Sequence, residues 1–163
     1  MTTNSSGGAA RKVPLPLEIK DVQNLADLGG RVLTLVFEIA PGQAALRVAL
    51  RVPTYHRWVE IGELVPEPPV RHTGTDGSKK VVNLYDTTYV KERARAADHR
   101  GYLRLADALD GGGLKFTADT LEGKADELRR VIAADIAVAL IRFLNMQIEG
   151  SAARLDERAE PFQ

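Results

Sequence analysis

The sequence predicts an α+β fold: an N-terminal antiparallel β-hairpin of two or three strands with a short helix, followed by a C-terminal helical lobe with two long helices. Three observations predict it. Apolar residues alternate with period two between residues 31 and 52, the mark of a strand with one buried face. From residue 87 to residue 149 they recur instead every three to four positions, the mark of helices. Between the two regimes, residues 65–85 are rich in Pro, Gly and Lys.

Taken in order, residues 1–16 (MTTNSSGGAARKVPLP) are Thr-, Ser-, Gly- and Pro-rich and are expected to form a flexible arm. Residues 17–64 form the hairpin and its helix. Leu17–Val22 is the candidate third strand. In Arg31–Ala40, Leu33, Leu35, Phe37 and Ile39 share one face. Pro41-Gly42 supplies the turn, Pro fixing φ and Gly accepting a positive one. In Ala45–Val52, Leu46, Val48, Leu50 and Val52 face one way and Arg47 and Arg51 the other. Thr54 is an N-cap for a helix over Tyr55–Glu63, which is expected to close over the apolar face of the hairpin with Trp58. Residues 65–85 read as a long exposed loop or hinge, with Val81, Val82, Leu84 and Tyr85 a short docked segment.

Residues 86–149 form the helical lobe. Asp86 caps a helix expected over 87–109, with Tyr89, Ala96, Tyr102, Leu103 and Ala106 on its buried stripe; Gly111–Gly113 stops it. Asp119 and Glu122 have the spacing of a capping box, opening one continuous helix to Glu149. Its apolar stripe, from Leu121 through Leu128, Ile136 and Leu140 to Ile148, is broad enough for a helix covered on two sides. Residues 150–163 are expected to be a loose tail.

Composition narrows the function. The chain has 163 residues, 44% hydrophobic and 27% charged, the usage of an ordinary globular protein. Lys plus Arg and Asp plus Glu both number 22, so nothing marks it as a nucleic-acid binder, which carries a basic excess. Without cysteine it has no disulfide, no thiolate nucleophile and no cysteine-ligated zinc. The stretch Met1–Arg11 is polar, and the longest apolar run, Ile132–Ile141, is interrupted by Asp135 and too short to span a bilayer. The expected compartment is the cytoplasm, with no membrane partner.

No catalytic, cofactor or metal set emerges. His56, Glu60 and Glu63 have helical ligand spacing, but a zinc site needs three or four ligands and no second histidine stands nearby. Asp98-His99-Arg100 are adjacent on a helix and point apart. Ser5, Ser6, Ser78 and Ser151 all fall in expected loops or tails, away from any nucleophile elbow. Gly74–Lys80 and Gly111–Lys115 lack phosphate-loop spacing and read as turns. Asp126-Glu127 and Asp156-Glu157 read as solvated carboxylates. Asp135, beside the apolar stripe, has two readings: an ion pair with Arg130, Arg142 or an arginine of the preceding helix, or a mark of a surface that a partner covers.

Three segments, Val52-Pro-Thr-Tyr-His-Arg-Trp-Val-Glu-Ile-Gly62, Arg104-Leu-Ala-Asp-Ala-Leu-Asp-Gly111 and Glu122–Leu128, give the chain a likeness. Over roughly residues 30–145 it resembles the small tail assembly chaperones of long-tailed bacteriophages and prophages; Gly123 departs from the pattern. The resemblance implies a non-enzymatic role in the host cell cytoplasm. The partners it implies are the tape measure protein, which such chaperones coat, and the tail tube protein, whose polymerisation they assist; self-association is a further expectation. It also implies absence from the finished virion and a longer frameshifted form. A tape measure is long, helical and apolar, so its chaperone needs an apolar groove. Trp58, Tyr89 and Tyr102 are candidate aromatic anchors, and Leu140, Leu144 and Ile148 a candidate partner row, expected to be removable without unfolding. Two alternatives stand beside this reading: a virion structural protein (tail tube or head–tail connector subunit), and a small-molecule-binding enzyme using Tyr55, His56 and Glu60.

Overall fold

A computed structural model describes residues 18, 20–77 and 79–158, with side chains to residue 148 apart from 75 and 76. The fold is α+β, with two antiparallel strand pairs and a set of α-helices. A 3₁₀ turn at Leu25–Leu28 leads into β1 (Val32–Phe37) and β2 (Leu46–Arg51), paired from Val32↔Arg51 to Phe37↔Leu46. Gly42, at φ 82°, makes the turn between them. Leu33, Leu35 and Phe37 lie on the more buried face of β1, as the alternation requires; Ile39 falls beyond the strand and is exposed. The expected arm 1–16 lies outside the described residues. Of the candidate third strand, the described residues 18 and 20–22 are not strand.

Helix α1 is Tyr55–Glu63, capped by the Thr54 hydroxyl, which accepts the Arg57 N–H at 3.2 Å. Its expected docking over the hairpin is corrected: α1 packs on α2 (Thr87–Gly111), and α2 is the helix that covers β2. The cause is local. The Arg104 guanidinium stacks on the Trp58 ring, 3.7 Å from its centroid, and donates to the Trp58 carbonyl at 2.7 Å. Arg57 donates to Asp107 through Nε and a terminal nitrogen, at 3.1 and 2.8 Å. Arg100 then holds the chain leaving α1, donating to the Val65 carbonyl at 3.2 Å and to Glu67 at 3.1 Å.

The expected loop 65–85 contains a second hairpin, β3 (Arg71–Asp76) and β4 (Lys79–Asn83), turned at Gly77 with φ 65°. It carries no apolar alternation because both its faces meet water, and a register shift between His72 and Gly74 interrupts its pairing. Val81, Val82, Leu84 and Tyr85, expected to dock, are exposed. Asp86 caps α2 as expected, its carboxylate accepting the Tyr89 N–H at 2.9 Å.

Two corrections concern the last third of the chain. Thr120, not Asp119, is the N-cap of α3 (Leu121–Val131), its hydroxyl accepting the Gly123 N–H at 3.1 Å. The continuous helix is two: Ile132 is extended, at φ −73° and ψ 137°, and α4 begins anew at Ala134 and runs to Arg158. The single broad stripe is therefore divided between two helices that meet at a corner. Among the described residues Asp135 pairs with none of the expected arginines; it sits in the first turn of α4, where a negative charge meets the positive end of the helix dipole, and accepts the Ile136 N–H at 2.9 Å. The expected loose tail is helical over 151–158, a run of good helix formers.

One core joins the first hairpin and the helices. Leu50 of β2, Ile61 of α1, Leu103 and Leu105 of α2, and Leu140 and Leu144 of α4 are its largest fully buried side chains. Each contributes about 1.5–3 kcal/mol by leaving water.

Candidate functional site

The chain leaves an apolar groove where β2 meets the helices. Its walls are the start of β2, the C-terminus of α2, and the α3–α4 corner; its volume is about 620 Å³. Glycines create it. A Cβ on Gly112 would collide with the Ala49 carbonyl oxygen and stand 2.6 Å from its carbon, so only glycine lets the end of α2 touch the β2 backbone. Gly113, at φ 102°, then turns the chain away, and the Leu114 N–H donates back to the Leu109 carbonyl at 3.0 Å. This lifts Leu114 onto one rim.

The opposite rim comes from the corner. α3 closes with the Ile132 N–H on the Leu128 carbonyl at 2.9 Å, which strands Val131 on the surface, 79% exposed. Ile132 and Ile136 line the wall below it and Leu140 the floor. Leu46 completes the rim from β2. Arg47 alone among the lining residues is charged. The loop into α3 is anchored by Glu127, whose carboxylate accepts the Thr117 and Ala118 N–H groups at 3.0 and 3.1 Å and the Thr117 hydroxyl at 2.9 Å. These bonds, the backbone donors of Thr117 and Ala118 first, hold the Glu127 carboxyl below the ordinary glutamate range.

The six candidate partner residues scatter over the molecule. Leu140 reaches the groove floor, but it and Leu144 are core, 1% and 2% exposed. The row formed with Ile148 is therefore not a free surface, and the expectation that it is removable without unfolding is corrected. Trp58 is half-buried under Arg104, Tyr89 is buried, and Tyr102 is half-buried with the Arg129 guanidinium 4.7 Å from its ring centroid. None of these three lines the groove. Leu46, Leu114 and Val131 were missed as partner positions. The sequence signal for them was slight: Leu114 follows a glycine run, Val131 ends a helix, and Leu46 reads only as one residue of the apolar face of β2.

Other candidate chemistry is dispersed. His56 Nε2 lies 3.2 Å from Glu60, whose other oxygen is bound by Arg57 at 2.6 Å. His99 bridges α2 and α3, with Nε2 3.2 Å from Glu122 and Nδ1 3.1 Å from Arg129. Among the described residues no three His, Asp or Glu side chains converge as metal ligands, and no helix is long and apolar enough to cross a membrane. A second cavity, of about 320 Å³, opens beside the Arg57–Asp107 pair. It is bounded by Arg51 and Asp110, and its lining mixes charged side chains with Val52 and Pro53.

Comparison of the chain with protein-family models, with curated proteins and with solved structures finds no match.

Proposed function

We propose that this chain is a non-enzymatic phage tail assembly chaperone, acting in the host cytoplasm, that takes an apolar helical segment of the tape measure protein in the groove between β2 and the α3–α4 corner and so assists tail tube assembly. The observation that carries the reading is the groove itself: open, apolar, and rimmed by Leu46, Leu114 and the largely exposed Val131. A groove of this kind receives the apolar face of a helix, with side chains three and four positions apart entering it together. Arg47 on its wall favours a segment with an acidic residue beside its apolar stripe. The segments that carry the family resemblance also support it. Residues 52–62 and 104–111 interlock through Arg57–Asp107 and Trp58–Arg104, a packing unit that holds β2 and the end of α2 against each other beside the groove.

The test is retention of the tape measure protein by the tagged full chain. Val131→Glu and Leu114→Glu each place a charge on an exposed rim, so the fold survives. Each is expected to weaken retention at least about tenfold, since a charge in an apolar contact costs more than about 1.4 kcal/mol. Undiminished retention by both folded variants would overturn the assignment of the groove.

A virion structural subunit is the second reading. The sheet edges left unpaired among the described residues favour it, because edges join subunits. High copy number in purified virions would decide for the subunit, and absence for the chaperone.

A further inference from the structure

β1 is an edge strand. It pairs with β2 on one side, and among the described residues no strand pairs with the other. Soluble proteins guard such edges with lysine, proline or a bulge. The second hairpin does so: β3 carries the register shift at His72–Gly74, and β4 opens on Lys79 and Lys80. β1 reads Val-Leu-Thr-Leu-Val-Phe, with no charge, no proline and an unbroken register. On its outer face Val32 and Val36 are 53% and 63% exposed, with Thr34 exposed between them.

The backbone direction is also settled. The Arg31 carbonyl accepts the Val52 N–H at 2.8 Å, so Arg31 and the alternate residues Leu33, Leu35 and Phe37 aim their polar groups at β2. Val32, Thr34 and Val36 therefore present their N–H and C=O groups to the free edge. The residues 32–36, Val-Leu-Thr-Leu-Val, read identically in both directions about Thr34.

We propose that the free edge of β1 pairs antiparallel with β1 of a second copy of this chain, forming a four-stranded sheet about a two-fold axis through Thr34. An axis normal to the sheet keeps core face with core face, so opposed residues must share a face. Registered on Thr34, Val32 opposes the partner's Val36, Thr34 opposes the partner's Thr34, and Val36 opposes the partner's Val32. These are the residues whose backbone groups point outward, so each pair exchanges both its hydrogen bonds. On the core side Leu33 meets the partner's Leu35. The palindrome is what selects an identical strand: within residues 32–36 every opposed pair is apolar with apolar or Thr with Thr, Phe37 meets the partner's Arg31, and no like charges face each other. Nothing in this pairing uses the groove, which stays open in the dimer's two copies.

Sedimentation of the full chain tests it. Wild type is expected to dimerise. Thr34→Lys and Thr34→Glu each set like charges opposite one another and are expected to shift the protein to monomer, while an equimolar mixture of the two recovers the dimer. Thr34→Cys, in a chain without cysteine, is expected to give a disulfide-linked dimer on mild oxidation, because opposed hydrogen-bonded residues stand about 5.5 Å apart at Cα. A monomeric wild type, or charge variants that stay dimeric, would overturn the proposal. Loss of tape measure retention in Val131→Glu leaves this result untouched, so the two readings fail separately.

Discussion

Single residues decide how closely the elements approach. Gly62 lies under Arg104, where a Cβ would stand 2.6 Å from a guanidinium nitrogen, so a larger residue there would make the end of the Arg104 side chain shift on Trp58. Gly112 does the same for α2 and the backbone of β2. Both glycines were visible in the sequence as letters, but only as a helix residue and a terminator; their use for close approach depends on what faces them. Glu127 was legible only as a solvated carboxylate beside Asp126, because its three donors are supplied by a loop ten residues earlier. Its pKa is depressed in the folded chain. The stabilisation it brings is therefore fully present above the unfolded glutamate pKa and is lost as pH falls through the folded value. Glu127→Gln is expected to lower the melting temperature at neutral pH and to converge on wild type in acid. Melting curves of both proteins from pH 7 down to about pH 2 check this, and parallel curves would reject it.

At the scale of elements, capping chemistry was the dependable signal. Thr54 and Asp86 start their helices where their side chains said they would, since a cap bonds its own chain two or three residues on. The break at Ile132–Ala133 had no such signal: no Gly or Pro stands there, and Ala-rich sequence favours continuity. On either side of the corner α3 and α4 both pack on α2, α3 burying Ala125 and Leu128 and α4 burying Ala137, Leu140 and Leu144. The second hairpin was missed for the opposite reason, having a turn signal at Asp76-Gly77 but no buried face to create alternation. The apolar period left Leu140 open as core or partner surface, and the structure places it in the core. Leu140→Ala is expected to cost about 2–5 kcal/mol in urea unfolding, as truncations of fully buried leucines do. Val138→Ala, on the exposed face of the same helix, is expected to stay within about 0.5 kcal/mol of wild type. Equal effects at the two positions would contradict the placement of α4.

For the whole molecule, the first hairpin and the helices share one core. Leu50 of β2 and Ile61 of α1 are as deeply buried as Leu103 and Leu105 of α2. Trp58 joins the same cluster, held to α2 by Arg104. Unfolding followed by Trp58 fluorescence and by helical circular dichroism is therefore expected to give coincident transitions. A separate, earlier fluorescence transition would mean that the hairpin and α1 form an independent lobe. From the sequence alone, the α+β class, the first hairpin and its facing, the start of α1 and the extent of α2 were all determined, because each rests on interactions within a few residues. The tertiary structure alone decided which helix covers the hairpin, where the last helix bends, and which apolar residues stay on the surface. Those outcomes depend on contacts between segments far apart in the chain, and a period of apolar residues records that a face is buried but not what buries it. The groove that carries the proposed function belongs to this second class, made by Gly112 meeting Ala49 and by Val131 left outside the corner.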